Sequence, residues 1–190
     1  MSADIDIDFF DRKAALAVLP HVVALRAENT PHNTGVYFQN IPYNPITMQA
    51  TIDYKEADAR GFFKMDFLNV SVYKDVKDEE HLIQLMNRAP LWDLLLQEDF
   101  VNLLFHVNGH GDILKKTCPT SIEQLAAVLA IIRPAKRYLI GKDWDTIMNE
   151  VWVKPETDEY FFKKSHAIAY AVAIVVQMNL ICDNLTSSET

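Results

Sequence analysis

The segment that most constrains the fold alternates strictly between acidic and apolar side chains near the start of the chain: Asp4-Ile5-Asp6-Ile7-Asp8-Phe9. Such alternation is typical of a β-strand, because successive side chains of a strand point to opposite faces. The three aspartates are therefore predicted on one face. Neighbouring carboxylates repel unless a cation lies between them, and hard divalent ions such as Mg²⁺ take carboxylate ligands. The alternative is an exposed acidic strand at a frayed N-terminus.

A second segment places another acid inside an apolar run. Residues 61–68 alternate so that Lys64 and Asp66 are predicted on one face of a strand and apolar side chains on the other. If this strand lies beside the first, Asp4, Asp6 and Asp66 share one sheet face. A cluster of three carboxylates suits two divalent metal ions.

Composition and charge restrict the class of protein. The 190 residues are 49% apolar and 23% charged, which suits one compact domain or two small lobes. A net charge of −8 argues against a protein that coats nucleic acid by bulk attraction, so contact with DNA is expected to be local or metal-assisted. Cys118 and Cys182 lack the spacing of a zinc site or disulfide framework, which predicts reduced thiols in the cytoplasm.

The sequence predicts neither secretion nor membrane insertion. The N-terminus lacks a basic region followed by an apolar one. The apolar run 168–180 contains Gln177 and Asn179 and is short for a bilayer span.

The residue pattern predicts an α+β fold in two parts. A small mixed or antiparallel sheet is expected over residues 1–75, a helical region over 76–185 and a disordered tail over 186–190. Asp11 is expected to cap a helix that continues to Leu25, bent or interrupted at Pro20.

Two further elements are expected in the helical region. Residues 152–153 and 160–162 are expected to pair as a hairpin. Ser165 is expected to open a last helix that runs to about Cys182.

Positive charge is concentrated late in the chain. Of 18 Lys and Arg residues, seven lie within residues 133–164. Arg133 follows one predicted helix end, and residues 163–166 precede a helix start, where unpaired backbone N–H groups favour anions. A triphosphate could bridge these clusters. The alternative is that they are ordinary helix-terminal charges and that His166 is a hydrogen-bonded polar group.

Several segments, in the same order, resemble motifs of the C-family bacterial replicative polymerases, the DNA polymerase III alpha subunits. The opening acidic segment resembles Pro-Asp-x-Asp-x-Asp-Phe, and residues 61–68 resemble Gly-Leu-x-Lys-x-Asp-Phe-Leu-Gly. Residues 31–36 are similar to Lys-His-Ala-Gly-Gly-Val, and residues 104–106 to Val-Phe-Gln.

The C-terminal half continues this resemblance. Residues 119–125 are similar to Pro-x-Ser-Phe-Glu-Asp-Leu, and residues 130–134 to Ala-Leu-Tyr-Arg-Pro. Residues 162–171 are similar to Phe-Asn-Lys-Ser-His-Ser-Ala-Ala-Tyr-Ala. The shared order of these motifs favours relatedness over chance.

The resemblance implies a shortened polymerase palm with part of the fingers and a nucleotidyl-transfer site. By position, Asp4, Asp6 and Asp66 would be catalytic and hold Mg²⁺ or Mn²⁺, with Asp8 as a further ligand. Lys64 and His32 would support this site. An incoming deoxynucleoside triphosphate would be held by six residues: Arg133, Lys163, Lys164, Ser165, His166 and Tyr170.

Departures from the family leave three alternatives. Against those polymerases the sequence lacks the phosphoesterase domain, the Gly-Ser motif, the thumb and most of the fingers, so processive replication by this chain alone is not expected. It is a minimal or split nucleotidyltransferase completed by a partner chain or self-association, a non-catalytic nucleotide- or DNA-end-binding module of a replication assembly, or a relic that binds another protein. A compact relative of this kind would suit a phage or mobile-element genome.

Overall fold

The computed structural model describes residues 5–9, 11–156, 159 and 161–187. The chain divides into two compact units, Met1–Lys74 and Asp75–Thr190. The first unit contains a six-stranded sheet, and the described residues of the second form helices, turns and loops. The predicted α+β fold class is therefore confirmed.

The sheet is mixed, as predicted. Its strands in chain order are β1 (Ile5–Phe9), β2 (Val22–Leu25), β3 (Pro31–Tyr37), β4 (Tyr43–Asn44), β5 (Gln49–Asp53) and β6 (Met65–Asn69). They lie side by side in the order β1-β6-β3-β2-β5-β4. The pairs β1–β6 and β2–β5 are parallel, and β3 is antiparallel to both of its neighbours. The edge strand β4 is antiparallel to β5.

Two short helices belong to this unit, α1 (Arg12–Val18) and α2 (Tyr54–Ala59). Asp11 caps α1 as predicted, since its Oδ1 accepts from the backbone N–H of Ala14 at 2.9 Å. The predicted continuation to Leu25 is wrong. The backbone is extended at Leu19, Pro20 cannot donate to a helix, and the next residues form β2 between β3 and β5.

The apolar face of β1 anchors the edge of the sheet. Phe9 stacks on Phe67 of β6 with ring centroids 4.8 Å apart, and Ile7 packs beside them against a buried cluster that includes Leu16 of α1. Because side chains alternate along a strand, this packing directs both aspartates of β1 to the opposite face of the sheet.

The second unit contains six α-helices among its described residues: α3 (Glu79–Asn87), α4 (Glu98–Val101), α5 (Gly111–Thr117), α6 (Ile122–Ile131), α7 (Trp144–Glu150) and α8 (Lys164–Ser187). Residues 125–131 of α6 are all buried and pack against α8. Side chains of Asp78, Ser121 and Asp143 cap α3, α6 and α7. Polar capping residues before apolar periodic segments thus mark these helix starts.

Two predictions about the end of the chain are wrong. Residues 152–153 form a turn and a bend rather than a hairpin strand, and Phe162 is buried in the helical core. Tyr160 lies outside the described residues. Helix α8 continues through Ser187, two residues into the predicted disordered tail, with the Thr186 hydroxyl donating to the carbonyl of Asp183 at 2.9 Å. Residues 188–190 lie outside the described residues.

Helix α8 is longer than predicted, and its Lys164–Thr186 part is long and apolar enough, by those two measures alone, to cross a bilayer. Half of its apolar window is buried inside the protein. The polar side chains that interrupt it have partners there. Asn179 Nδ2 donates to the carbonyls of Leu85 and Arg88, both at 2.9 Å, and Gln177 Nε2 donates to the carbonyl of Leu103 at 2.9 Å. Core packing therefore accounts for the buried half of this apolar window.

We expect Asn179→Ala to destabilise the protein by about 1–3 kcal/mol, because the buried carbonyl of Leu85 and the part-buried carbonyl of Arg88 would lose their donor. Chemical denaturation monitored by circular dichroism measures this loss. The matched control is Asn184→Ala on the exposed side of the same helix, expected within about 0.5 kcal/mol of the wild type. Equal losses in the two variants would contradict the assigned role of Asn179.

Candidate active site

The parallel pairing of β1 with β6 positions the candidate acids. In its register Asp6 is the direct neighbour of Asp66, and Asp8 is the neighbour of Leu68. Paired residues of adjacent strands project to the same face, so Asp6 and Asp66 lie side by side, with Asp8 one pleat further along. The predicted neighbourhood of these strands is confirmed. Asp4 lies outside the described residues.

Asp66 is almost fully buried, with 9% of its surface exposed. Its Oδ1 accepts a hydrogen bond from the Thr34 hydroxyl at 2.6 Å, and its Oδ2 contacts the ammonium of Lys64 in an ion pair. A buried carboxylate needs such partners, since removing an unpaired charge from water is costly. Thr34 and Lys64 therefore supply these partners and hold the Asp66 carboxylate in place.

His32 lies beside Asp66 as a neutral ring. Its Nδ1 accepts from the backbone N–H groups of Gly35 at 2.9 Å and Thr34 at 3.3 Å, so the ring proton is on Nε2. The 3.7 Å approach of Nδ1 to Asp66 Oδ1 is therefore not an ion pair. Burial lowers the pKa of His32, and the charge of Lys64 lowers it further, while Asp66 partly offsets both.

Gly35 pairs with Asp66 across β3 and β6, and its missing side chain makes room for the site. A Cβ at this position would lie 2.4 Å from Cδ of Lys64, 2.8 Å from its Cγ and 3.0 Å from Nδ1 of His32. Only glycine permits both side chains to lie over the strand without displacement. Residues 31–36 resemble a family motif, but the sequence analysis predicted no role for Thr34 or Gly35.

The acids of β1 carry an electrostatic penalty that a cation would relieve. Partial desolvation raises the pKa of Asp8, and the negative charge of Asp6 raises it further. The available donors are carboxylate oxygens, which are the ligands that Mg²⁺ and Mn²⁺ prefer. The donor chemistry of Asp6, Asp8 and Asp66 therefore fits a hard divalent ion. Within the described residues, however, no three His, Cys, Asp or Glu side chains are grouped closely enough to hold a metal.

In the second unit, predicted nucleotide-binding residues meet in an aromatic cluster built around Phe162. The guanidinium of Arg133 lies 5.2 Å from the centroid of that ring, Tyr170 stacks on it at 5.6 Å, and His166 approaches its edge at 6.4 Å. Arg133 Nε is buried and lacks a hydrogen-bond partner among the residues that the structure describes. Buried donors in proteins usually have a partner, so this N–H is a candidate for an ordered water or a ligand.

The remaining predicted residues begin α8. Lys163, Lys164 and Ser165 are exposed, and the Lys164 ammonium lies 6.0 Å from the centroid of the Trp152 ring. Exposed cations at the first turn of a long helix add to the positive end of its dipole. This arrangement can attract an anion, and it is equally compatible with a solvated helix start.

His106 is a member of the aromatic cluster to which the sequence assigned no site role. Its ring lies 4.3 Å from that of Tyr170, and its backbone has a positive φ of 62°. Burial lowers the pKa of His106, and the charge of Arg133 lowers it further. The resemblance of residues 104–106 to Val-Phe-Gln was the one signal that could have identified it.

The candidate acids and the candidate nucleotide-binding residues belong to different units, Met1–Lys74 and Asp75–Thr190. No protein-family model matches the chain, and neither the curated proteins nor the solved structures contain a significantly similar one. Each of these two groups of residues is therefore assessed on its own chemistry.

We expect stability to fall as the pH is lowered from 7.5 to 5, and His106→Asn to reduce that fall. With a folded-state pKa below its unfolded value of about 6.5, the imidazole is protonated first in the unfolded chain. The contribution of this pKa difference to the free energy of unfolding is complete above the unfolded pKa and is lost as the pH falls toward the folded pKa. Urea unfolding at several pH values measures the slope.

Asparagine suits this position because it tolerates a positive φ. His32 shifts in the same direction, so part of the pH dependence should remain in the variant. NMR titration of the His106 Hε1 signal is the direct check. A midpoint at or above about 6.5 would contradict the assignment.

Proposed function

We propose that this chain is a metal-dependent nucleotidyltransferase related to the catalytic core of the DNA polymerase III alpha subunits, in minimal or split form. The observation that carries the proposal is the register of β1 against β6, which sets Asp6 beside Asp66 on one face of the sheet. The ordered motifs of the sequence support the same relationship. Deoxynucleoside triphosphates and primer–template DNA are the proposed substrates.

Asp6 and Asp66, with Asp8 and Asp4, are proposed to hold Mg²⁺ or Mn²⁺. When bound, the metal would neutralise triphosphate charge and favour ionisation of a primer 3′-hydroxyl. The protein contributes orientation, since the Thr34 hydroxyl donates to Asp66 Oδ1 at 2.6 Å. Asp66 is buried beside neutral His32. This burial lowers the dielectric screening around Asp66 and strengthens its electrostatic interactions with bound charge.

The nucleotide is proposed to bind the second unit. Arg133 offers an Nε–H that is buried without a partner among the described residues, and its guanidinium is held against Phe162. Lys163 and Lys164 add charge at the start of α8, with Ser165, His166 and Tyr170 nearby on the same helix. Arginine suits this role because its fork of donors matches phosphate oxygens.

The proposal includes a partner chain or self-association that completes the palm, and it places the protein in the cytoplasm, where nucleotides are available. The net charge of −8 supports the requirement for a partner, because the isolated chain would attract a DNA backbone poorly.

A second candidate is a nucleotide- or DNA-end-binding module without catalysis, acting in a replication assembly. One observation favours it. Both oxygens of Asp66 already have protein partners, Thr34 and Lys64, so this carboxylate is satisfied without a metal. The two candidates differ in whether metal binds the first unit and in whether a phosphodiester bond forms.

We expect Mn²⁺ at tenfold its dissociation constant to raise the melting temperature by about 3–6 °C, because a ligand bound only by the folded state stabilises it by about 1.4 kcal/mol. Asp6→Asn combined with Asp66→Asn should abolish this shift. The matched control is Asp93→Asn, an exposed acid of the second unit, which should retain it. An equal shift in the double variant would contradict the metal site.

We expect extension of a labelled primer in the presence of Mg²⁺ or Mn²⁺, and its loss by at least about 100-fold in Asp6→Asn. The assay is run with the chain alone and with candidate partner chains. Arg133→Ala should weaken binding of a fluorescent deoxyadenosine triphosphate analogue, while Lys142→Ala at an exposed position should not.

The same measurements separate the two candidate functions. Nucleotide binding that persists in chelator, without extension under any condition, would favour the non-catalytic module. Unchanged nucleotide binding by Arg133→Ala would contradict the proposed role of Arg133 under both candidate functions.

A further inference from the structure

The ammonium of Lys64 occupies the place at Asp66 where the proposed function requires a metal ion. It contacts Oδ2, while Oδ1 accepts from the Thr34 hydroxyl at 2.6 Å. Only 19% of the Lys64 side chain and 12% of the Asp66 side chain are exposed. A pair this buried is retained only where its geometry compensates for the lost hydration.

The sheet leaves space over Gly35 for the aliphatic stem of the Lys64 side chain. Gly35 lies opposite Asp66 on the neighbouring strand, and a Cβ there would overlap Cδ and Cγ of the lysine, at 2.4 and 2.8 Å. The lysine lies two residues before Asp66, on the same strand face, so its chain runs along the sheet to reach the carboxylate. Its position is therefore set by the backbone of two strands.

An ammonium and a divalent cation compete for this carboxylate. Two cations bound to one carboxylate would lie within a few ångströms of each other, where repulsion in a partly buried site is strong. With Lys64 in place, the negative charge of Asp66 is neutralised, so the attraction that Asp6 and Asp66 together exert on a cation is reduced. Metal binding is favoured when the lysine leaves.

We propose that Lys64 is a built-in counter-cation of Asp66 that a divalent ion displaces, so that the site exchanges one cation for another. The inference rests on the proposed function, since it concerns the same metal site. Without metal, Lys64 prevents Asp66 from becoming a buried unpaired charge. With metal, the ion takes over that carboxylate and the ammonium moves away. Lys64 is a positioning residue that lowers metal affinity.

Two variants remove the lysine from Asp66 in different ways. Lys64→Met keeps an apolar stem of similar length and removes the charge. Gly35→Ala keeps the charge and displaces the lysine stem from the space over residue 35. Alanine is not strained there, because Gly35 does not have a positive φ. Lys64→Arg retains a cation, and Lys55→Met removes an exposed lysine of the same unit as the matched control.

Direct binding of Mn²⁺, followed by electron paramagnetic resonance of the free ion, provides a readout that is independent of activity. We expect Lys64→Met and Gly35→Ala to bind Mn²⁺ at least about threefold more tightly than the wild type, because a competing cation has been removed. Lys64→Arg and Lys55→Met should stay near the wild-type affinity.

Amine labelling of the wild type provides a second readout and does not depend on the folding of any variant. We expect saturating Mn²⁺ to raise the acetylation rate of Lys64 severalfold relative to exposed Lys55, because the ammonium loses its carboxylate partner. Mass spectrometry of the peptides measures both rates in one sample. An unchanged ratio with bound metal would overturn the exchange.

The outcomes separate this inference from the function on which it rests. Metal binding by the wild type, with equal or weaker binding by Lys64→Met and Gly35→Ala, would overturn the lysine exchange and leave the metal site standing. Absence of binding in every variant, including those freed of the lysine, would overturn both. Binding only after the lysine is removed would show that Lys64 blocks the site, and it would overturn the displacement of Lys64 by metal in the wild type.

Discussion

The in-register pairing of β1 with β6 is the constraint on which the candidate site depends. It is held by apolar contacts on one face, where Phe9 stacks on Phe67 at 4.8 Å. Those contacts fix the acids on the other face, because a slip of one residue would exchange the two faces of the strand. The positions of Asp6 and Asp66 therefore follow from hydrophobic packing. Burial of Asp8 and the negative charge of Asp6 oppose this arrangement, since both raise the pKa of Asp8.

Burial of Asp66 determines the chemistry around it. A carboxylate with 9% exposure needs a counter-charge or hydrogen-bond donors, and Thr34 and Lys64 supply both. Neutral His32 is held by two backbone N–H groups, and Gly35 leaves the space that the two larger side chains fill. The same network thus stabilises a metal-free state and defines what a cation must displace. Catalysis and simple binding differ in whether that displacement occurs.

The second unit offers a different kind of candidate. Arg133, held over Phe162 with a buried and unpartnered Nε among the described residues, is suited to an anion, and the exposed lysines of α8 add charge. Its aromatic surroundings also belong to the core, since Phe162 is 4% exposed. Loss of nucleotide binding without loss of stability is therefore the observation that separates a ligand-binding role from a structural one.

Local patterns in the sequence determined much of the fold. Strict alternation predicted β1 and β6 and the shared face of their acids, and the cap Asp11 predicted a helix start. Tertiary structure alone decided that residues 22–25 leave the helical pattern, since strand pairing on both sides outweighs their local periodicity. It also decided that the Lys64 side chain lies over Gly35 and that His106 lies beside Tyr170. Those contacts depend on burial and on neighbours distant in sequence, and local spacing carries no information about either.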